Sequence, residues 1–382
     1  MKAPKTTVVF GQPSWTLESG TVTASLTQTG GHLAPVAFHL GGKTVQPFSI
    51  APWWNEEVER GLPPIVRVLR GDFFCMPFGG NALPYRGVKH EVHGDTANLR
   101  WKPLGYTKSE EETTLRLGME LKAFSGRVEK RITLVPGQTV VYQKHIIAGV
   151  GVPTSLGHHS ILKFPDEPGA GRLSTSKRML GQVFVEPTEK PEEGGYSILK
   201  PGAVFDDLAS VPTITGETTD LGRYPARRGF EDIAILVADP TLPVAWTAVA
   251  FPDEGYVWFA LRDPKVLAST LLWISNGGRH YSPWSGRHVN VMGVEDITGC
   301  FHYGAALSAK SNALNKQGVK TSVTPTTKRP LYVNYISGLA AIPKNFDRVS
   351  DILVESNQII LFSECGASVR TPVNTEFLQS AD

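Results

Sequence analysis

Leu115-Arg116-Leu117-Gly118-Met119-Glu120-Leu121 alternates apolar and polar residues with a period of two. Successive side chains of a strand point to opposite faces, so one extended segment can bury Leu115, Leu117, Met119 and Leu121 and keep Arg116 and Glu120 wet. A helix would scatter the same residues around its circumference. Val128-Glu129-Lys130-Arg131-Ile132-Thr133-Leu134 reads as the next strand, and Pro136-Gly137 makes a turn. Val140-Val141-Tyr142-Gln143-Lys144-His145-Ile146-Ile147 follows, rich in the β-branched and aromatic side chains that pack well on a pleated surface.

The same reading extends outward in both directions. Strands are predicted over 233–238, 244–250, 256–261 and 271–274, and residues 352–362 form a hairpin turning at Ser356-Asn357. The 38 glycines and 28 prolines punctuate short apolar runs instead of collecting in one segment. Alternating βα units are absent, which disfavours a doubly wound nucleotide fold. The expected fold is all-β, a large antiparallel sandwich with little helix.

A chain of 382 residues is long enough for two domains, but large β-sandwiches exceed the usual domain size without dividing. One sandwich domain over 1–382 is expected, carrying a loop-rich insertion around 164–228 and extra strands around 331–377. Residues 319–325 read as a short strand and turn. The 331–377 region either packs on the core or makes an oligomer contact.

Composition narrows the partners. Hydrophobic residues make up 41% and charged residues 19%, with a net charge of +2, which gives no electrostatic case for nucleic acid or an anionic membrane. The apolar runs fall short of the ~18 residues of a transmembrane helix. Cys75, Cys300 and Cys365 form no C-x-x-C pair and are odd in number, which points to a reducing compartment. Gly11-Gln12-Pro13-Ser14 interrupts the start of the chain where a secretory h-region would continue. These features lead to the expectation of a cytoplasmic monomer or homodimer whose partner is a small, weakly charged molecule.

Three separated segments carry candidate chemistry: His93-Gly94-Asp95-Thr96-Ala97-Asn98-Leu99-Arg100-Trp101, Gly157-His158-His159-Ser160 and Val294-Glu295-Asp296. Together they supply imidazoles and a carboxylate, groups suited to moving protons on a neutral polyol. Neighbours on a strand face oppositely, so only one of His158 and His159 enters a given groove easily, and His159 is chosen. Glu295 follows an apolar lead-in that suggests a strand end, where a carboxylate is either functional or simply solvated.

The order of these segments behind Arg70-Gly71-Asp72-Phe73-Phe74-Cys75-Met76-Pro77-Phe78-Gly79-Gly80 resembles the aldose 1-epimerase (galactose mutarotase) superfamily, over roughly residues 16–310. The resemblance implies an antiparallel β-supersandwich with an open sugar groove. It implies that His93 binds near the ring oxygen, that His159 is the general acid and that Glu295 is the general base. Arg70 matches a position that commonly contacts substrate, including the phosphate in the hexose-6-phosphate branch; alternatively it neutralises Asp72 or covers apolar surface with its stem. The chain departs from the pattern at Asp95, where a glycine is common, and at Ser160-Ile161-Leu162, which lacks the usual aromatic.

Anomer interconversion removes a proton from the C1 hydroxyl while the ring oxygen gains one, so one base and one acid suffice and no cofactor is required. No metal site is expected either, because His90-x-x-His93 and His158-His159 lack a helical H-E-x-x-H or paired C-x-x-C context. Neither Gly79-Gly80 nor Gly277-Gly278 belongs to a phosphate-loop pattern. Trp284 and Tyr281, in the loop-like Arg279-His280-Tyr281-Ser282-Pro283-Trp284, are candidates to contact a sugar, as are Asp220, Asp232 and His158. The leading expectation is an aldose 1-epimerase-type isomerase acting on a small carbohydrate. The alternatives are a non-catalytic carbohydrate-binding protein on the same scaffold and a polysaccharide lyase using Tyr281 and Arg279.

Overall fold

A computed structural model describes residues 4–381. Two antiparallel sheets lie face to face, and a small third sheet covers the outside of one of them. The larger, eleven-stranded sheet starts with the N-terminal meander through Leu33–Leu40. It continues through Asp72–Cys75, Leu156–Lys163, Val291–Thr298, Ser269–Asn276, Phe230–Ala238 and Arg178–Val183. The nine-stranded sheet runs from Arg223–Tyr224 and Gly171–Thr175 through Ala245–Phe251, Tyr256–Arg262, Leu331–Ala341, Val140–Ala148, Arg127–Leu134 and Thr113–Glu120 to Lys102–Lys108. Helix is confined to short pieces, among them Pro64–Val68 and Gly94–Asn98.

The period of two does what the sequence suggests. Leu115 and Leu117 are buried between the sheets, and Arg116 on the opposite face meets Glu129 at 2.9 Å. In the larger sheet the alternation separates two hydrophobic clusters. Phe74, Ala234, Leu272, Ile274 and Val294 face the other sheet. Phe73, Ile233, Leu271, Trp273 and Ile297 face outward, where Trp53, Ile65, Leu69 and Trp284 cover them.

The interior between the sheets is not purely apolar. Asp72 on the larger sheet is 3.0 Å from His158 and accepts a hydrogen bond from Gln143 on the other. Asp296 is 2.8 Å from Arg262 and accepts from Thr270 at 2.7 Å, while the Tyr335 ring stacks on His158 at 4.0 Å. Charges buried this way persist only when paired, so these contacts fix how the two sheets register.

Within residues 164–228, Gly171–Thr175 and Arg178–Val183 are strands of the two large sheets, and Val211–Pro212 pairs with Thr218–Thr219 in a two-stranded sheet of its own. Leu331–Ala341 is an inner strand, paired with Tyr256–Arg262 on one side and Val140–Ala148 on the other. The late hairpin is real, Val349–Val354 pairing with Gln358–Ser363, and Ser368–Pro372 completes a sheet whose Ile352, Ile359 and Leu361 pack on Phe259 and Ile336. Residues 319–325 form no regular strand; Val323 makes an isolated bridge to Thr154. Among the described residues no helix is long and apolar enough to cross a membrane.

Candidate active site

A cavity of about 330 Å³ opens on the outward face of the larger sheet, where its central strands meet the segments that cover them. His159 and Glu295 form part of its floor. Gly157 pairs with Ile297 and Ser160 with Val294, a register that sets His159 and Glu295 opposite each other on neighbouring strands. Their side chains meet, with Nε2 of His159 3.2 Å from Oε1 of Glu295. Gly293 makes room for this arrangement: a Cβ there would lie 2.7 Å from Oε1 of Glu295.

His93 reaches the cavity from a different element. It precedes the Gly94–Asn98 helix with a left-handed φ of 59°, unusual for a non-glycine residue. Its N–H donates to the Gly79 carbonyl at 2.8 Å, and its own carbonyl accepts from Met76 at 3.2 Å. Gly94 is obligatory beside it, because a Cβ would lie 2.0 Å from the Met76 oxygen. The His93 ring stands edge-on to His159 at 4.9 Å and to His302 at 5.2 Å between ring centres. Three imidazoles and one carboxyl group therefore face one space.

Burial sets their protonation. It pushes Glu295 well above the ordinary carboxylate range and His159 down to about 3, the latter reinforced by His302. Both effects favour a proton on the carboxyl group and a neutral imidazole beside it. His93 is held well below its ordinary value by burial and by the neighbouring imidazoles, and His302 is lowered to about 4 by burial and Arg279. Oε2 of Glu295, Nδ1 of His159 and Nδ1 of His93 are buried without a protein hydrogen-bond partner.

The far wall is a second electrostatic unit. Nε of Arg279 donates to Glu189 at 2.6 Å, and the Tyr281 hydroxyl donates to the same carboxylate at 3.1 Å. The Arg279 guanidinium lies 4.6 Å from the centre of the Trp284 ring, a cation–π contact. Burial works against its charge, but Glu231 and Glu189 more than compensate and keep it charged. Glu231 lies beneath, accepting from Trp273 at 3.1 Å and from Ser275 at 2.8 Å; burial raises it to about 7.

Of the residues singled out from sequence, His93, His159, Glu295, Arg279, Tyr281 and Trp284 come together at this cavity. Four do not. Arg70 is buried away from it, its guanidinium donating to the carbonyls of Val68, Val9 and Phe10, which ties the N-terminal hairpin to the sheet. His158 faces the interior and Asp72, as strand alternation requires. Asp232 likewise points away from its neighbour Ile233 and accepts from the N–H groups of Ile198 and Leu199. Asp220 receives the Gly222 N–H at 2.6 Å and shapes a turn. Asp95 accepts from the N–H groups of Lys122 and Ala123, so it braces the loop behind His93. Trp101 also stands behind the helix, donating to the Thr96 carbonyl at 3.0 Å.

His302 and Glu189 are additions that the sequence did not single out. His302 follows a strand end as one of ten histidines, with no motif around it. Glu189 sits in a charged run that reads as solvated, yet its carboxylate is buried against Arg279. Among the described residues no group of three or more His, Cys, Asp or Glu side chains is placed to hold a metal ion.

No protein-family model matches the chain, and no curated protein matches its sequence. Solved structures do resemble it. A galactose mutarotase-like protein from Clostridium acetobutylicum superposes with a TM-score of 0.58 at 10% identity, covering 88% of this chain and 98% of its own. A candidate aldose 1-epimerase from Klebsiella pneumoniae gives 0.59 at 15% identity, over 87% of this chain and 80% of its own. A galactose mutarotase-like protein from Lactobacillus casei gives 0.55 at 13% identity, over 86% and 100%. The chain has the all-β galactose mutarotase-like fold.

Proposed function

We propose that this protein interconverts the α and β anomers of an aldose by acid–base ring opening, with Glu295 as base and His159 as acid. The observation that carries the reading is the buried 3.2 Å contact between these two groups on the floor of the cavity. The pair needs one shared proton. With that proton on the carboxyl group both residues are neutral; moving it across the contact gives a carboxylate and an imidazolium, the form that can act.

In the first half-reaction the Glu295 carboxylate takes the proton of the C1 hydroxyl. The O–H bonding electrons form the C1 carbonyl, the bond from C1 to the ring oxygen breaks, and that oxygen takes the proton of His159. The open-chain aldehyde then rotates about C1–C2. In closure the chain hydroxyl returns its proton to His159 and attacks C1, while Glu295 protonates the carbonyl oxygen. The pair ends as it began. His93 and His302, kept neutral, each offer a donor and an acceptor, which suits hydroxyl groups. Positioned acid and base groups each supply roughly 10²–10⁴-fold.

Exchange NMR on a panel of free aldoses tests the proposal. The expected result is anomer exchange faster than in buffer, abolished by Glu295→Gln. Sugar binding by calorimetry with no exchange above buffer would instead make this a carbohydrate-binding protein. Neither binding nor exchange would end the reading.

A further inference from the structure

The walls of the cavity differ in chemistry. Glu295, His159, His93 and His302 form one polar cluster and Arg279 with Tyr281 another, whereas Pro63, Ile65, Val66 and Leu69 present aliphatic surface. Resting on the anomer-exchange reading, we infer that the substrate is a deoxy sugar, an aldose that carries hydrogen or methyl where a hexose carries a hydroxyl or hydroxymethyl group.

A fully hydroxylated hexopyranose has a polar group on nearly every ring carbon. Hydroxyls turned toward Ile65, Val66 and Leu69 give up water against a wall whose side chains offer no hydrogen-bonding group. The Tyr281 hydroxyl donates to Glu189 and keeps only its acceptor capacity for a sugar. A methyl group against the same wall gains contact and leaves nothing unsatisfied. The volume of about 330 Å³ is at the small end of the usual ~300–1,000 Å³ for ligand sites, which suits one monosaccharide.

The aliphatic wall is also fixed in place. Oδ1 of Asn98 accepts the Ile65 N–H at 3.0 Å, and Nδ2 of Asn98 donates to the carbonyls of Val92 and Gly94, each at 2.7 Å. One buried amide thus ties the Pro64–Val68 helix to the turn that carries His93. Trp53 adds a bond from Nε1 to the Val66 carbonyl at 2.7 Å. The wall cannot withdraw to admit water behind a hydroxylated ligand without breaking these bonds.

Matched sugar pairs test the inference in exchange NMR: D-fucose against D-galactose, L-fucose against L-galactose, L-rhamnose against L-mannose, and 6-deoxy-D-glucose and 2-deoxy-D-glucose against D-glucose. The expected result is a higher kcat/KM for the deoxy member of at least one pair, by roughly 10–100-fold. Val66→Ser, at a half-buried position, should narrow that ratio. Parents turned over as fast as their deoxy partners in every pair would overturn the inference and leave anomer exchange standing. If no sugar is turned over, calorimetry on the same pairs decides. Tighter binding of a deoxy member supports the inference, and equal, reversed or absent binding overturns it.

Discussion

Glu295 and Asp296 are neighbours in the chain that face opposite sides of one sheet: Glu295 meets His159 in the cavity at 3.2 Å, and Asp296 meets Arg262 in the interior at 2.8 Å. The strand is therefore held from behind at the position where it presents the proposed base. His159 and His158 repeat the arrangement, with His158 3.0 Å from Asp72.

Glu295→Gln keeps the shape of the side chain but removes its ability to accept a proton. Anomer exchange should fall by about 10²–10⁴-fold, as measured by exchange NMR. Thermal unfolding should change little, because the glutamine is no more costly to bury than a carboxyl group held neutral. An unaltered rate would remove Glu295 as the base.

Asp296→Ala should act on stability. It strands the Arg262 guanidinium in the interior, and breaking a buried pair from one side costs about 3–5 kcal/mol. Urea unfolding should show the loss directly. A variant as stable as the parent would mean that Arg262 is satisfied by its bonds to Leu267, Thr247 and Thr270 alone.

Glu189→Ala releases both Arg279 and Tyr281 from the carboxylate that orients them. Hydrogen bonds to charged groups are worth about 1.5–3 kcal/mol, so KM should rise roughly 10–100-fold. The kcat should move much less, because Glu295 and His159 are untouched. Steady-state kinetics that show the reverse split would place Arg279 in the chemical step.

Acid should destabilise the protein from about pH 6.5 downward. Burial lowers His32, His159 and His288 from 6.5 to about 3, and His302 to about 4. Below pH 6.5 these groups bind protons when unfolded but not when folded, so their stability contribution, complete above that pH, is lost as pH falls toward 3–4. Glu231 and Asp232, both raised by burial to about 7, act oppositely: their contribution is present below their unfolded values of 4.5 and 3.8 and is lost as pH rises through 7. With His90, His93 and His145 also lowered and Glu295 and Asp296 also raised, seven imidazoles outweigh four carboxyls. Urea midpoints should therefore be lower at pH 5 than at pH 7.5. A higher midpoint at pH 5 would contradict the buried, neutral state of these histidines.

Strand alternation made much of this architecture legible from sequence. It also separated His159 from His158, because the period of two depends only on local geometry. The position of an irregular segment carries no such local signal. Arg70 looked like a ligand contact because nothing nearby in sequence shows that the carbonyls of Val9 and Phe10 fold back onto it. Glu189 looked solvated for the same reason, since its partner Arg279 arrives from a distant loop. Asp95, which departs from the expected glycine, serves the backbone of residues 122–123 and does not line the cavity.

The inner placement of Leu331–Ala341 has a consequence for how the molecule comes into being. Until that strand is available, Tyr256–Arg262 and Val140–Ala148 each expose an unpaired edge, and the interior is missing Tyr335. Pairings this distant in sequence, like that of Ser160 with Val294, are slow to close. A nascent chain still lacking residues 331–341 on the ribosome would hold His159 and Glu295 without the second sheet that backs them. The protein should gain its cavity late in biogenesis, and its half-made sheets are where chaperones would find their substrate.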